Sequence, residues 1–326
     1  MMVFLRGAVR WLGRILFVLV ALIVAYALYA AIAYRDIPTE TLLARYGDEN
    51  LSFADIDSNR IAYRLDGRPL GEAPALLLIH SHYFNSRMWD GWLPYLEDDF
   101  SVIRFDLTSH GLTGPDANND YSMARDLKLL DGLIDTLGIN RVSLVGSSLG
   151  GNIAFHYAAE HPAKVDKLVL INSGGLKREQ SSKRNAQAIP EWFYRVFYFV
   201  PRAAYRAFIE WMVFDSSIVS DAMVEEFHAM FRHAGNRQAE LERMRTFDVG
   251  EPGPVLAGIT APALILWGAD NPQLPTSHVA RFEKALSASP SVTSRVITGA
   301  GHLLPVEKPE QSATEAREFL MTEHTR

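Results

Sequence analysis

The 326-residue sequence contains no cysteine. That absence removes disulfides, thiolate metal sites and a cysteine nucleophile; it fits an oxidising compartment without requiring one. An excess of positive charge is missing too. The formal net charge is −6, and beyond the extreme N-terminus no basic stripe offers nucleic acid a surface. There is no internal repeat and no low-complexity tract. No acidic cluster or phosphate loop calls for a metal or an organic cofactor, so neither is expected. The composition, 48% hydrophobic and 21% charged, is that of a globular chain. Its length allows one large core with at most a small satellite domain.

The N-terminus carries the first positive signal. From Ile15 to Tyr34 runs ILFVLVALIVAYALYAAIAY, a stretch without a charge and long enough to span a bilayer as a helix. Arg6, Arg10 and Arg14 precede it, while Arg35, Asp36 and Glu40 follow. This bias predicts a cytoplasmic N-terminus and a catalytic region on the far side, periplasmic or extracellular. Ala31-Ile32-Ala33 also resembles a signal-peptide cleavage site, which would make the protein secreted. The apolar run is longer than most signal peptides carry, which favours an uncleaved anchor over residues 1–35.

Residues 36–50 read as a polar connector. LSFADIDSNRIAYRLDG then alternates around Ser58-Asn59, a hairpin signal. ALLLIH (75–80), SVIRFD (101–106), RVSLVG (141–146), KLVLIN (167–172), ALILWG (263–268) and SRVITG (294–299) are short apolar runs of the kind that form strands buried on both faces. Helical periodicity lies between them, most plainly in YSMARDLKLLDGLIDTLG (121–138). Alternating strands and helices predict a parallel sheet wrapped on both faces, an α/β core over 51–173 and 259–326. Residues 174–258 break the rhythm. They are rich in aromatics, from Trp192, Phe193 and Tyr194 to Trp211 and Phe214, and read as a helical cap over the carboxyl edge of the sheet, where such folds bind ligands.

RVSLVG runs into Gly146-Ser147-Ser148-Leu149-Gly150 and then a helical pattern. A G-x-S-x-G at a strand-to-helix junction places a serine on a sharp turn whose flanks have no room for side chains. The helix beneath supplies free N–H groups and positive potential for a developing oxyanion. The bland alternative, a glycine-rich turn with an incidental serine, does not require this strand-then-helix context. A base is needed, and His302 in ITGAGHLLPVEKPEQ stands after the last predicted strand and before the last helix. Nucleophile first and histidine last is a known order for such sites.

With these motifs the chain resembles the α/β-hydrolases, in particular the capped branch of meta-cleavage-product (carbon–carbon bond) hydrolases, epoxide hydrolases and haloperoxidase-like esterases. LLLIHSHYFNSRMWDGW resembles the oxyanion loop, FDLTSHGLTGP the loop after the next strand, SLVGSSLGGNIAFHYAAEHPAKVDKLVLINSGG the elbow, and GAGHLLPVEKPE the histidine loop. Epoxide hydrolases and dehalogenases use a carboxylate nucleophile, so Ser148 argues against both. The resemblance implies backbone N–H groups of His82 and Leu149 as oxyanion donors. The family's His-Gly is here His80-Ser81, which narrows the allowed backbone angles, and His110 is expected to be structural.

The acid departs further. The family's W-G-x-x-D-x-x-x-P, laid on WGADNPQLP, puts Asn271 in the acid's place. The other position where relatives carry the acid, at the end of the strand after the elbow, is Asn172. An amide cannot balance an imidazolium and can select the wrong tautomer, which costs a serine protease about 10⁴ in turnover. The expectation is that neighbouring Asp270 takes the role, with Asn271 the alternative. The implied activity is hydrolysis of a small apolar ester or related carbonyl through an acyl-enzyme. Carbon–carbon bond hydrolysis, cofactor-free oxygen or peroxide chemistry, and a catalytically weakened ligand- or partner-binding protein are the alternatives.

Overall fold

The computed structural model describes residues 2–176, 200–246 and 252–322. Eight strands form one sheet in the order β1-β2-β4-β3-β5-β6-β7-β8. β1 (Leu51–Ile56) and β2 (Asn59–Gly67) are a hairpin, and β2 also runs antiparallel to β4 (Ser101–Phe105). The hairpin turn sits one residue earlier than the sequence reading placed it. Asp57 and Ser58 both take positive φ, 45° and 68°, the backbone that a tight two-residue hairpin demands. From β4 to β8 all pairs are parallel, through β3 (Ala75–Ile79), β5 (Val142–Ser147), β6 (Val165–Ile171), β7 (Ala263–Gly268) and β8 (Val292–Ile297). The middle strands are buried along their length, which explains why they read as unbroken apolar runs and not as alternation.

One face is covered by α3 (Met123–Thr136), α4 (Leu149–Glu160), α8 (Pro252–Ala257) and α9 (Ser277–Ala285). Ser122 caps α3 by accepting the Arg125 N–H. The other face carries a 3-10 segment (Ser86–Tyr95) and the final helices α10 (Leu304–Glu307) and α11 (Pro309–Met321). Between β6 and β7 the chain forms α5 (Arg202–Met212), α6 (Asp221–Phe231) and α7 (Asn236–Thr246). Leu256 of α8 packs into the core layer beneath α4, not among these inserted helices. The aromatics from Trp192 to Phe199 lie outside the described residues.

At the N-terminus α1 (Met2–Ala33) contains a stretch from Arg10 to Ala33 with mean hydropathy 2.8, of which only 6% is buried against the rest of the protein. It is long and apolar enough for a membrane span, and a signal sequence has the same character. The expected connector is in fact structured. Ile37 pairs with His233, and α2 (Thr39–Tyr46) buries Leu42 among Ala62, Leu112, Ala229 and Met230. A few polar residues around one well-placed leucine gave too little periodicity to read as a helix.

Candidate active site

Ser148 stands between β5 and α4 with φ 54° and ψ −111°, a backbone that a residue with a side chain adopts only under strain. Three bonds fix it. Its N–H donates to Ile171 O at 3.0 Å, and its carbonyl accepts from Asn152 N at 3.1 Å and Gly174 N at 2.9 Å. Glycine is required beside it: a Cβ at Gly146 would collide with the Gly150 carbonyl, and one at Gly150 with that of Ile79. Leu149 opens α4, so its N–H is among those with no partner inside the helix.

His302 is 1% exposed and held from both sides. Its N–H donates to Met212 O at 2.7 Å, bringing the insert onto the loop. Asn172, at the end of β6, donates through Nδ2 to Gly301 O (3.1 Å) and His302 O (2.9 Å) and accepts Gly268 N–H at 2.9 Å. Asn172 is therefore a clasp between the β6, β7 and β8 loops, and its ring partner is the backbone of His302, not the imidazole. Glu307 completes the loop by accepting N–H groups of Phe214, Gly301 and Leu303. Since Gly174 bonds Ser148, the serine and the histidine loop converge on the same 172–174 turn.

The side chain that meets the imidazole is Asn271. Its Oδ1 lies 3.2 Å from His302 Nδ1. The expected Asp270 points elsewhere: it is exposed, and its carboxylate accepts Gly299 N–H at 3.0 Å. The correction has a simple cause. Asp270 N donates to Ala300 O, so the turn after β7 is pinned in a register that leaves the next residue facing inward. Asn271 Oδ1 also accepts the N–H groups of Gln273 (3.0 Å) and Leu274 (3.1 Å). Two backbone donors demand an oxygen there, which fixes the orientation of the amide. The oxygen then accepts Nδ1–H of His302, leaving Nε2 with its lone pair. The wrong-tautomer penalty expected of an amide is thus avoided, while the missing charge is not replaced. Burial pulls the His302 pKa down to about 3, and Asn271 Nδ2 is buried without a hydrogen bond.

The loop after β3, where an oxyanion donor is expected, is densely bonded. Ser81 Oγ donates to Ser147 Oγ at 2.9 Å, and Ser81 is not among the positive-φ residues, so the serine in place of glycine is accommodated without strain. His80 Nε2 accepts Leu107 N–H, and Tyr83 N–H donates to His110 Nε2 at 3.1 Å. No partner is found for the His82 N–H among the described residues. Its side chain meets a group that sequence reasoning missed. Glu240 of α7, 1% exposed, places Oε2 at 2.5 Å from His82 Nε2 and Oε1 at 3.1 Å from His110 Nε2, and accepts Ser109 Oγ–H. Arg243, one turn further, holds Ser109 Oγ, both oxygens of Asp126 and the Thr108 carbonyl. Burial alone would raise the Glu240 carboxyl, yet the contact with His82 and the nearby Arg243 guanidinium bring it below the ordinary carboxylate range. His82, His110 and Glu240 have the donor atoms of a cation site, all within 4.8 Å, but Tyr83 N–H occupies His110 Nε2.

Beside the loop lies an apolar cavity of about 230 Å³ lined by Tyr83, Val200, Ala204, Tyr205, Phe208 and Phe231. Tyr205 donates its hydroxyl to Tyr83 O, fastening α5 to the loop. Of the predicted cap aromatics that are described, Tyr205 and Phe208 face this cavity, whereas Trp211 and Phe214 are exposed at 53% and 57%.

Known proteins bear on this geometry at several levels. An uncharacterized protein of Mycobacterium tuberculosis (strain H37Rv) is 37% identical over 129 residues, 40% of this chain. The match spans only 36% of that protein's length. The structure of a meta-cleavage product hydrolase from Pseudomonas fluorescens superposes with a TM-score of 0.69 at 20% identity, covering 82% of this chain and 97% of the other. That of a bacterial membrane phospholipase A superposes with a TM-score of 0.68 at 23% identity and covers 98% of both chains. Residues 74–309 match the family described as the alpha/beta hydrolase fold. With its elbow, histidine loop and eight-stranded sheet, the chain belongs to the α/β-hydrolase fold family.

Proposed function

We propose that this protein is a membrane-tethered serine hydrolase of esters with an apolar acyl or alcohol group. The strained backbone of Ser148 carries the reading: strain of this kind persists where function uses it. His302 Nε2 takes the proton of Ser148 Oγ, and the oxygen attacks the ester carbonyl. The N–H groups of His82 and Leu149 receive the oxyanion. Collapse expels the alcohol, which takes the proton back from His302. Water then attacks the acyl-enzyme with the same imidazole as base, releasing the acid and restoring Ser148. Asn271 orients the ring throughout. The cavity beside Tyr83 supports an apolar substrate group. The apolar α1 and full-length similarity to a membrane phospholipase A support a tether, with the catalytic part on the non-cytoplasmic side.

The amide at 271 favours one second reading, a ligand-binding protein that has lost turnover. A fluorophosphonate probe decides between them. Labelling of the detergent-solubilised chain that disappears in Ser148→Ala and His302→Ala is expected of the hydrolase. Folded wild-type protein that stays unlabelled leaves the binding reading.

A further inference from the structure

We propose that Glu240, carried on the inserted helix α7, is a positioning residue that clamps the oxyanion loop. The inserted helices thereby complete the site. For the catalytic consequence this rests on the hydrolase reading above; for the mechanical one it does not.

Four observations converge. α7 buries the wrong kind of face: Asn236, Arg237, Glu240 and Arg243 are each 2% exposed or less, where an amphipathic helix ordinarily buries apolar residues. Each reaches out of the insert: Asn236 to Gly111 O, Arg237 to Asp36, Arg243 to Asp126 and Thr108, and Glu240 to the His82 ring. The carboxylate is itself aimed, because Ser109 Oγ donates to Oε1 and receives Arg243 Nε–H at 3.0 Å. Finally, the loop it holds is otherwise bonded through Ser81, Tyr83 and Phe84, which leaves the His82 N–H, without a partner among the described residues, as the group being presented.

A buried carboxylate costs several kcal/mol to desolvate, and this one sits against a half-buried ring at the edge of the proposed reaction centre. A purely structural contact between insert and core needs no charge there. Fixing a donor for developing negative charge does need rigidity, since misplacement of such donors costs orders of magnitude in rate. Divalent cation binding by the same three groups is disfavoured by the Tyr83 N–H on His110 Nε2 and by the Arg243 guanidinium one hydroxyl away.

The test uses the full-length chain in detergent, comparing Glu240→Gln, which keeps the shape, Glu240→Ala, and Arg206→Ala on the insert's partly exposed rim as control. Hydrogen exchange is read at the Tyr83 and Phe84 amides, together with kcat and KM on a p-nitrophenyl ester. The expected result is exchange accelerated tenfold or more in Glu240→Ala and less in Glu240→Gln. kcat should fall about 10- to 100-fold with KM within twofold, and Arg206→Ala should be unchanged in both. Unaltered exchange at Tyr83 and Phe84 in both Glu240 variants overturns the clamp, as does a rise in KM alone. One-to-one zinc binding that Glu240→Gln abolishes overturns it in favour of a metal centre. Accelerated exchange in a protein whose wild type takes no fluorophosphonate upholds the clamp and sinks the hydrolase reading instead.

Discussion

At residue 271 one atom separates an amide from an acid, and the surroundings determine what that atom is worth. Asn271 Oδ1 is held by two backbone N–H groups as well as His302 Nδ1, so the imidazole keeps the tautomer that general-base catalysis needs. What is lost is charge. With its pKa near 3, His302 stays neutral well below ordinary histidine range and, in the mechanism proposed above, is a poor acceptor for the Ser148 proton. Asn271→Asp replaces the unpartnered Nδ2 by an oxygen and puts a negative charge beside the ring. Turnover is expected to rise by about 10- to 1,000-fold, short of the roughly 10⁴ that a wrong tautomer costs. The acid limb of the pH–rate profile should move upward, because the carboxylate favours the imidazolium. Asp270→Ala should leave turnover within about twofold, given that its carboxylate serves Gly299. Unchanged turnover in Asn271→Asp combined with a collapse in Asp270→Ala would contradict this assignment. The same pKa sets a stability trend. Between about pH 6.5, where an unfolded histidine titrates, and pH 3, the unfolded chain binds the proton that native His302 refuses. Its contribution to stability therefore falls as pH is lowered through that window, and urea midpoints for wild type against His302→Gln measure it.

Among the elements, α7 departs furthest from what its sequence announces. NRQAELERMRT has the composition of a solvated surface helix, yet Arg243 and Asp126 form a two-point ion pair with both side chains buried. Removing one partner strands a charge in the interior. Asp126→Ala should cost about 3–5 kcal/mol, a fall in Tm of roughly 10 °C, while the double change Asp126→Leu with Arg243→Met should recover most of it. Thermal unfolding of the three proteins checks this, and a double variant no better than the single one would show that Arg243 acts through Ser109 and Thr108 instead. The contrast with the strands explains what was legible. β3 to β7 are buried on both faces and announce themselves as apolar runs. The elbow around Ser148 is dictated by glycines whose side chains would collide with backbone, and His302 by its place after β8. Glu240 and Asp126 left no comparable mark, and Asn172 was marked only as a second seat for the acid, not as a clasp. Their roles come from partners more than 100 residues away in sequence, and a polar residue paired in the interior looks, in sequence, like one facing water. The choice between Asp270 and Asn271 rested on a backbone register set by Ala300, which local pattern does not contain.

On the scale of the whole molecule, the apolar helix α1 and the α/β body are joined by more than the continuity of the chain. Arg232 donates to the carbonyls of Ala33 and Arg35, Arg237 pairs with Asp36, and Thr39 Oγ1 lies 2.7 Å from His233. α2 then closes a small core of its own around Leu42. These contacts begin where α1 ends, so two truncations should behave differently. Removal of residues 1–33 takes away the almost wholly exposed stretch Arg10–Ala33 and leaves the strap from Tyr34 onward in place. That protein is expected to be soluble without detergent, with Tm within a few degrees of the full chain and unchanged turnover of a short soluble ester. Removal of residues 1–46 also strips Asp36, which leaves the buried Arg237 without that counter-charge, and opens a cavity where Leu42 stood. Loss of a buried leucine alone costs about 2–5 kcal/mol, and the loss of the Arg237–Asp36 ion pair adds to it. Differential scanning calorimetry of both truncations with the turnover assay separates the cases. Equal stability in the two would mean that the strap and α2 merely rest on the fold. Loss of stability on removing residues 1–33 alone would mean that α1 is a structural part of the α/β body.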